Sequence, residues 1–304
     1  MTDLSHLDSI VDDPDAITEV VLAAMKRTDN PRLKQIVDAV VRHAHAFFRE
    51  VQLTDQEFEK GLEFVKAIGQ ATVDDHNEVV LCADVLGFST LVTLLNTVDR
   101  SNRTPGALLG PFYRGNSPEY ADGATIVDEG SPGAPLFVKC RVVDTAGKPV
   151  KGAMVDVWQA SPVGLYENQD PDQPDMNLRG RFRTDADGYF RFRSVRPAGY
   201  PVPTHGPVGR LLEHQHRHPY RPAHIHFVVI AEGYDTLISQ VFADDSEYLG
   251  SDVVFGVNRS LVGKFAAHED GKAPASDVTG EYYTLEYEFV VAEGTPTYPT
   301  PPIK

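Results

Sequence analysis

Glycine and proline are distributed unevenly along this chain of 304 residues, and their distribution divides it into two unlike parts. Between residues 15 and 98 both are rare, and apolar residues recur every three or four positions, as on one face of a helix. After Pro105 both become frequent, and short runs rich in β-branched and aromatic residues alternate with turn signals. The sequence therefore predicts an α+β protein, with a helical domain over residues 1–104 and a β-rich domain over residues 105–304.

Three helices are predicted in the first part. The first carries its apolar face over residues 33–48 and the second over residues 58–68. Thr54, followed three residues later by Glu57, forms a capping-box pattern at the start of the second helix. The third runs from about residue 78 to residue 97 and is apolar on most of its surface, so we expect it to dock against the rest of the protein. The apolar faces of the other two suggest docking or dimerisation.

Six strands are predicted in the second part, and with little helix between them they favour an antiparallel β-sandwich. The strands are Leu136–Val143, Ala153–Trp158, Tyr189–Arg193, His224–Ile230, Thr236–Phe242 and Tyr283–Val291. Two longer segments, residues 159–180 and 194–222, are too rich in proline for strands, and we expect them to be loops. Loops of this length in a compact domain are usually functional.

Charge and composition exclude several classes of protein. The net charge of −16 repels phosphate backbones and anionic lipid surfaces, so nucleic-acid binding is not expected. No uncharged run approaches the roughly 18 residues of a membrane span, and the acidic N-terminus does not have the pattern of a signal peptide. Cys82 and Cys140 show no metal-binding spacing and predict two buried free thiols. We therefore expect a cytoplasmic protein.

The sharpest local motif is a pair of histidines, His224 and His226, at the start of a predicted strand and close after Arg221. Residues two apart in a strand point to the same face, so the two imidazoles would lie side by side and could bind one metal ion. They could equally be core histidines with satisfied hydrogen bonds. No cysteine lies near them in sequence, which leaves carboxylates and phenolates as further ligands. Tyr166 and Tyr200 lie in the two long loops, but spacing alone does not select them from 12 tyrosines.

Several motifs together resemble those of the intradiol ring-cleavage dioxygenases, and the resemblance covers nearly the whole chain, including its helical part. They are Leu109–Tyr113, Gly152–Ala160, Gly164–Tyr166, Tyr200–Pro203, Gly206–Gly209 and Arg221–His226. The resemblance implies a function in the breakdown of aromatic compounds, in which a small aromatic diol or triol and O₂ give a muconate-type diacid. It also implies a homodimer joined through the N-terminal helices, with a phospholipid sometimes bound at the interface.

The resemblance further implies one Fe(III) ion per subunit, held by Tyr166, Tyr200, His224 and His226. Fe(III) is a hard ion that favours anionic oxygen donors, so two phenolates would stabilise the ferric state. By the same resemblance, Tyr200 leaves the iron when the diol binds and helps to accept a proton. Arg221 would orient the substrate and stabilise the negative charge that develops on it, and Gln240 would lie near the site.

Asp84 is the residue that indicates which diol is cleaved. Many catechol enzymes of the family have a proline here, whereas in the hydroxyquinol branch an acid faces the additional ring hydroxyl. The expected substrate is therefore hydroxyquinol (benzene-1,2,4-triol), with catechol or a substituted catechol as the alternative. The residues that the resemblance places around the substrate are Leu81, Asp84, Leu108, Gly110, Pro111, Phe112, Val202, Pro203 and Val254.

Two other classes of function remain open from the residues alone. One is a non-catalytic β-sandwich that binds small aromatics through the same tyrosines and histidines. The other is a zinc hydrolase with two histidines and Glu167 as ligands, which the absence of an HExxH motif disfavours. Three further histidines, His214, His216 and His218, are predicted to lie in an exposed loop.

Overall fold

The computed structural model describes residues 10–74, 76–96, 102–269 and 271–303, and within them it places six helices. The chain divides into two compact units, residues 1–66 and residues 67–304. The predicted domain boundary between residues 104 and 105 stays a prediction. The helices are α1 (Ile17–Ala24), α2 (Pro31–Glu50), α3 (Asp55–Ala71), α4 (Glu78–Val85), α5 (Phe88–Leu95) and α6 (Pro207–His214).

Local capping explains where α2 and α3 begin. The side chain of Asn30 accepts hydrogen bonds from the backbone N–H groups of Arg32 and Leu33, which would otherwise be unpaired in the first turn of α2. At the start of α3, Thr54 and Glu57 form the reciprocal hydrogen bonds of a capping box. That prediction is confirmed.

The prediction of one helix from about residue 78 to residue 97 is wrong. The structure has two shorter helices there, α4 and α5, separated by Gly87 in the left-handed region at φ +74°. A left-handed residue ends a right-handed helix, and glycine adopts this conformation without steric cost. Only α4 docks as expected, because α5 leaves large apolar side chains such as Phe88 and Leu95 exposed. Residue 97, the expected end, lies outside the described residues.

No single helix among the described residues is long and apolar enough to cross a membrane. Helices α4 and α5 reach the required length and hydropathy only when taken together, and they are bent by 72° relative to each other.

Eleven strands follow in the described residues, and all six predicted strands are among them. They are β1 (Pro135–Asp144), β2 (Met154–Gln159), β3 (Arg179–Arg183), β4 (Tyr189–Val195), β5 (Tyr200–Pro201), β6 (Tyr220–Arg221), β7 (His224–Ile230), β8 (Leu237–Ala243), β9 (Val262–Gly263), β10 (Ala266–His268) and β11 (Tyr282–Val291). The two main sheets have the orders β10-β11-β1-β4 and β3-β2-β7-β8-β9, and β5 pairs with β6.

The α+β class is confirmed, but the sheets are mixed and not purely antiparallel. Strands β1 and β11 pair in parallel, as do β8 and β9. A tight hairpin requires antiparallel neighbours, but strands joined by a long connection are free of that constraint. The sequence pattern between β1 and β11 therefore could not specify their relative direction.

Alternation along β7 separates the main core from a second cluster of rings. Ile225, Phe227 and Val229 belong to the core formed by both main sheets, together with inward-facing residues of β1 and β4. Val228 belongs instead to a cluster with the aromatic side chains of other segments. Because side chains alternate across a strand, His224 and His226 share the face of Val228 and point away from the main core.

Both long segments expected to be loops contain regular structure. Residues 159–180 end in the first two residues of β3, and residues 194–222 contain α6 as well as β5 and β6. Pro207 occupies a first-turn position of α6, where the missing N–H is not needed, and Val208 and Leu212 supply its buried face. The prolines of residues 194–222, from which a loop was predicted, are therefore compatible with a helix that begins at Pro207.

Cys82 on α4 and Cys140 on β1 are both buried and free, as predicted.

Glu78 connects α4 to the start of α6. Its side chain is 0% exposed, and its Oε1 accepts a hydrogen bond of 2.8 Å from the backbone N–H of Val208. Its Oε2 lies 2.5 Å from Nε2 of His76. A Cβ at Gly206 would overlap the Glu78 carboxylate, so glycine is required where the two segments meet.

We expect Glu78→Ala to lower the free energy of unfolding by about 2–4 kcal/mol, because it leaves the Val208 N–H buried without a partner and opens a cavity. Glu78→Gln keeps an acceptor and should cost less. Urea denaturation measures both, with Glu59→Ala on the exposed surface of α3 as the control. Equal stability of Glu78→Ala and the wild type would contradict this role for Glu78.

Candidate active site

His224 and His226 project from the same face of β7, as the two-residue spacing predicts. Both are buried, their rings lie 4.7 Å apart, and their Nε2 atoms are 3.1 Å apart. Nδ1 of His224 lies 2.7 Å from the carbonyl oxygen of Pro222, so a hydrogen on Nδ1 leaves the lone pair of Nε2 facing His226. Two ring nitrogens therefore converge on one point.

Burial keeps both imidazoles neutral. It lowers the pKa of His224 to about 3, with a further contribution from the positive charge of Arg221. It lowers the pKa of His226 well below its usual value, and His224 and Arg221 add to the effect. Neutral imidazoles are the form that binds metal ions.

Tyr166, in a loop, and Tyr200, the first residue of β5, meet the histidines from two different segments. Their hydroxyl oxygens are 3.2 Å apart, and their rings pack edge to face at 5.4 Å. The Tyr200 ring lies 5.5 Å from that of His224, and the Tyr166 ring lies 6.3 Å from that of His226. Burial raises the pKa of both phenols, most strongly that of Tyr166, where proximity to Tyr200 adds to the effect. The structure thus brings together all four side chains of the implied ligand set.

The chemistry of these four donors fits Fe(III). A phenol with a raised pKa loses its proton at neutral pH only when a strongly Lewis-acidic cation binds its oxygen, and hard Fe(III) favours the resulting phenolate oxygens. Among the described residues, no group of three or more His, Cys, Asp or Glu side chains could hold a metal ion, so the tyrosines are needed. Glu167, the third ligand of the zinc alternative, instead pairs with Arg114 and Arg179. The donor set disfavours that alternative.

Arg221 reaches this cluster from β6, where it pairs with Tyr200 of β5. Its Nη1 lies 3.2 Å from Nε2 of His224, and its Nε and Nη2 each donate to Asp252 at 3.1 Å. Burial lowers the pKa of the guanidinium, but the carboxylate of Asp252 more than offsets this, and the net pKa lies above the ordinary value. Arg221 is therefore a fixed, buried cation beside the candidate ligands.

Gln240 lies opposite His226 on the neighbouring strand β8. Its Oε1 accepts a hydrogen bond of 3.0 Å from Nη2 of Arg221, and its Nε2 donates to the carbonyl oxygen of Leu108 at 2.6 Å. The same Nε2 is 3.3 Å from Nδ1 of His226. Gln240 links the cation, one candidate ligand and the segment that precedes Gly110.

Asp84 of α4 lies within electrostatic reach of the same cation. The side chain is only 5% exposed. Burial raises the pKa of its carboxyl group to about 6, against the opposing effects of a hydrogen bond from Ser89 and the charge of Arg221, while Asp252 adds to the increase. Asp84 is therefore a buried acid within electrostatic reach of Arg221.

For the other residues expected around the substrate, the structure gives specific contacts for three and only the burial of four more. Gly110 adopts φ +76°, and a Cβ there would lie 3.2 Å from Cε1 of His226, so the backbone passes directly over this ring. The ring of Phe112 packs 4.7 Å from that of Tyr166, and Val254 accepts a hydrogen bond from Thr90 at its carbonyl oxygen. Four more are buried or half-buried, and their place in the pocket stays a prediction: Leu81, Pro111, Val202 and Pro203.

Comparison of the chain with known proteins identifies its family. A family model described as "Dioxygenase" matches residues 108–292, and one described as "Catechol dioxygenase N terminus" matches residues 30–104. The chain belongs to the intradiol ring-cleavage dioxygenases. The family membership that the motifs indicated is confirmed.

Individual relatives of this intradiol dioxygenase cover nearly its full length. It is 41% identical to the hydroxyquinol 1,2-dioxygenase of Rhizobium sp. (strain MTP-10005), over 90% of this chain and 94% of the relative. It is 39% identical to the catechol 1,2-dioxygenase of Candida albicans, over 91% and 92% of the two chains. The crystal structure of hydroxyquinol 1,2-dioxygenase from Pseudomonas putida DLL-E4 superposes with a TM-score of 0.85 at 40% identity, over 92% of this chain and 99% of that one.

Two neighbours of the dioxygenase site were not identified from the sequence. Trp158 pairs with His226 in the register of β2 and β7, and their rings stack at 4.6 Å and 11°. Asp252, the partner of Arg221, lies two residues before Val254, which was the only residue of that segment predicted to belong to the site. The sequence shows only that each is an aromatic or acidic residue in a segment expected to be buried. Many positions in the chain have the same property, so it does not identify a site residue.

The three further histidines lie outside the dioxygenase site. His214 is the last residue of α6 and is exposed, so the prediction of a loop is wrong there, and His216 is exposed after the helix ends. His218 accepts a hydrogen bond at Nδ1 from the backbone of Tyr220 and packs against Tyr248.

Proposed function

We propose that this enzyme cleaves hydroxyquinol with O₂ between its two adjacent hydroxyls, giving 3-hydroxy-cis,cis-muconate, the enol form of maleylacetate. The observation that carries the proposal is a buried acid, Asp84, within electrostatic reach of Arg221, whose guanidinium lies beside the cluster of Tyr166, Tyr200 and two histidines. The names of relatives at 41% and 40% identity, which refer to hydroxyquinol, support the same substrate.

Tyr166, Tyr200, His224 and His226 would hold one Fe(III) ion per subunit. When bound, this ion supplies the Lewis acidity that holds the diol in its deprotonated form and directs O₂ to the substrate. The phenol oxygen of Tyr200 lies beside that of Tyr166. As a phenolate in the iron-loaded protein, Tyr200 would take one proton from the entering diol and become a neutral phenol. Tyr166 and the two buried imidazoles keep their places.

Arg221 orients the substrate and stabilises the negative charge that moves onto the ring oxygens. The guanidinium is already fixed by Asp252 and Gln240, so it does not have to reorganise during the reaction. Phe112 and Trp158 belong to the buried cluster that contains Tyr166 and Tyr200, and these apolar surroundings strengthen the electrostatic interactions of the site.

Asp84 would select the third hydroxyl of hydroxyquinol. An ionised carboxylate accepts a charge-assisted hydrogen bond from that hydroxyl, whereas catechol has no such group and leaves the buried acid without that hydrogen bond. This difference is what favours hydroxyquinol over the alternative, catechol or a substituted catechol.

We expect Asp84→Asn to lower the ratio of kcat/KM for hydroxyquinol to kcat/KM for catechol about tenfold, because a neutral amide accepts a weaker hydrogen bond than a carboxylate. In the wild type this ratio should rise with pH through about 6, where Asp84 loses its proton, and in the variant it should not change with pH. Glu213→Gln, on the exposed side of α6, is the control. A wild type that prefers catechol at every pH would support the alternative substrate.

The direct test of the proposed function is a visible spectrum of the purified protein with its iron content, recorded before and after anaerobic addition of hydroxyquinol and, separately, of catechol. A broad charge-transfer band from phenolate to iron, shifted by the diol, is expected. Product analysis after O₂ is admitted then separates an enzyme from a non-catalytic aromatic-binding protein. Iron bound without such a band would mean that Tyr166 and Tyr200 are not ligands, and the proposal would be wrong.

The proposal includes a homodimer joined through α2 and α3. Large apolar side chains on these helices are exposed in the single chain: Leu33, Ile36, Val40, Phe47, Phe58, Leu62 and Val65. Burying such a surface in a second copy is favourable, and a phospholipid at the interface could share it. Analytical ultracentrifugation tests the homodimer, and lipid extraction tests the bound phospholipid.

The cytoplasmic location that the free cysteines favour is also part of the proposal.

A further inference from the structure

A buried ion pair lies next to Tyr166, and neither of its members has a place in the proposed mechanism. Nε of Arg179 donates to Oε1 of Glu167 at 2.6 Å, and each side chain is 1% exposed. Glu167 directly follows Tyr166 in the chain. Arg179 is the first residue of β3 and pairs in register with Trp158 of β2. Two elements that flank the candidate ligands thus place opposite charges together in the interior.

The positive charges around Glu167 outnumber its single negative charge. Arg114 donates to the same Oε1 at 2.8 Å, and its other acidic partner, Asp175, is 75% exposed and screened by solvent. Arg179 also donates to Oδ1 of Asn168 at 3.3 Å, which is neutral. Two guanidinium groups therefore share one buried carboxylate beside Tyr166, and the buried Asp156 lies within electrostatic reach of one of them, Arg179.

Stability alone gives little reason for such a pair. The desolvation of two buried charges costs about as much as their attraction returns, and apolar replacements are often neutral or stabilising. A charge that is retained in the interior can still act on its neighbours, because electrostatic interactions are stronger where water is excluded.

The neighbour that Arg179 acts on is the ring of Tyr166. Cζ of Arg179 lies 5.9 Å from the ring centroid, which is within the range of a cation–π interaction. The attraction increases when the phenol becomes a phenolate, because the ring then carries negative charge. Burial raises the pKa of the Tyr166 phenol, and the charges of Arg221, the partner of Tyr200 across β5 and β6, and of Arg179 both oppose that increase. Of these two cations, Arg179 is the one whose guanidinium lies over the Tyr166 ring.

We propose that Arg179, fixed by Glu167, is a positioning residue that acts through Tyr166, where its charge stabilises the phenolate and limits how strongly the phenolate oxygen donates electrons to Fe(III). This inference rests on the proposed function, since it requires Tyr166 to be a ligand. It assigns a function to β3, a strand that the sequence did not predict.

The test is the visible spectrum and the reduction potential of iron-loaded Arg179→Met. Loss of the positive charge raises the energy of the phenolate electrons, so the charge-transfer band should move to longer wavelength. A stronger donor stabilises Fe(III), so the potential should become more negative. Arg179→Lys keeps the charge and should move both quantities less than Arg179→Met does.

Arg114→Met is the matched control. It removes a cation from the same carboxylate, but the partners of Arg114 in the structure are Glu167 and Asp175 and not the Tyr166 ring. Its band should stay at the wild-type position. If Arg179→Met does not fold, the double variant Arg179→Met with Glu167→Met replaces the pair by apolar side chains of similar length. It should show a smaller shift in the same direction, because loss of the Glu167 charge offsets part of the loss of the Arg179 charge.

An unchanged band and potential in a folded, iron-loaded Arg179→Met would overturn this inference. An equal shift in Arg114→Met would do the same, because the effect would then come from net charge and not from contact with the ring. These results differ from a failure of the proposed function. If the wild type binds iron without a charge-transfer band, Tyr166 is not a ligand and both proposals are wrong.

Discussion

Tyr166→Phe is expected to lower kcat/KM for hydroxyquinol by about 10³-fold or more, because it removes one oxygen donor and leaves the ring in place. The variant should also bind less iron, and the charge-transfer band should lose intensity, since only Tyr200 would remain as a phenolate. Steady-state kinetics, iron analysis and the visible spectrum measure the three effects. The hydrogen bond of 3.2 Å to Tyr200 is lost at the same time.

Tyr113→Phe is the matched control for this experiment. Tyr113 belongs to the same buried cluster, and its ring packs 4.8 Å from that of Trp158. Its hydroxyl makes only a long hydrogen bond of 3.4 Å to Asp156, and burial raises its pKa to about 12. This variant should keep most of its activity and all of its iron. Equal losses in both variants would show that packing, and not metal binding, explains the result.

Arg221→Met is expected to lower kcat by about 10²–10³-fold while the protein keeps its iron, because the guanidinium stabilises charge on the substrate and is not a metal ligand. Arg221→Lys should recover only part of this loss. One ammonium group cannot reproduce the two bonds to Asp252 and the bond to Gln240 at the same time.

Stability must be followed in the same variants. Removing one member of a buried ion pair leaves Asp252 uncompensated, which costs about 3–5 kcal/mol. Kinetics are therefore measured well below the melting temperature of each variant, with the exposed Arg259→Met as control. A folded, iron-loaded Arg221→Met with wild-type kcat would contradict the catalytic role of Arg221.

Local rules account for what the residues predicted correctly. The alternation of side chains in a strand placed His224 and His226 on one face, and the structure confirms it with Nε2 atoms 3.1 Å apart. The capping box at Thr54 and Glu57 is equally local. Each of these patterns depends on neighbours within a few residues, so their physical cause is contained in the segment itself.

The selection of two tyrosines from twelve needed the resemblance to a family, because no local rule distinguishes them. Tyr166 and Tyr200 are 34 residues apart, and they meet through the packing of two separate segments, a loop and β5, against β7. Burial, which raises the pKa of both phenols, is likewise a property of the assembled site.

The sequence by itself determined the α+β class, the six main strands and the shared face of the two histidines, because helix and strand periods are set by backbone geometry. The tertiary structure alone decided the parallel pairing of β1 with β11 and the position of Asp252 beside Arg221. It also placed Arg179 against the ring of Tyr166. These contacts join segments that are distant in the chain, and their partners are selected by packing and burial, which no local spacing records.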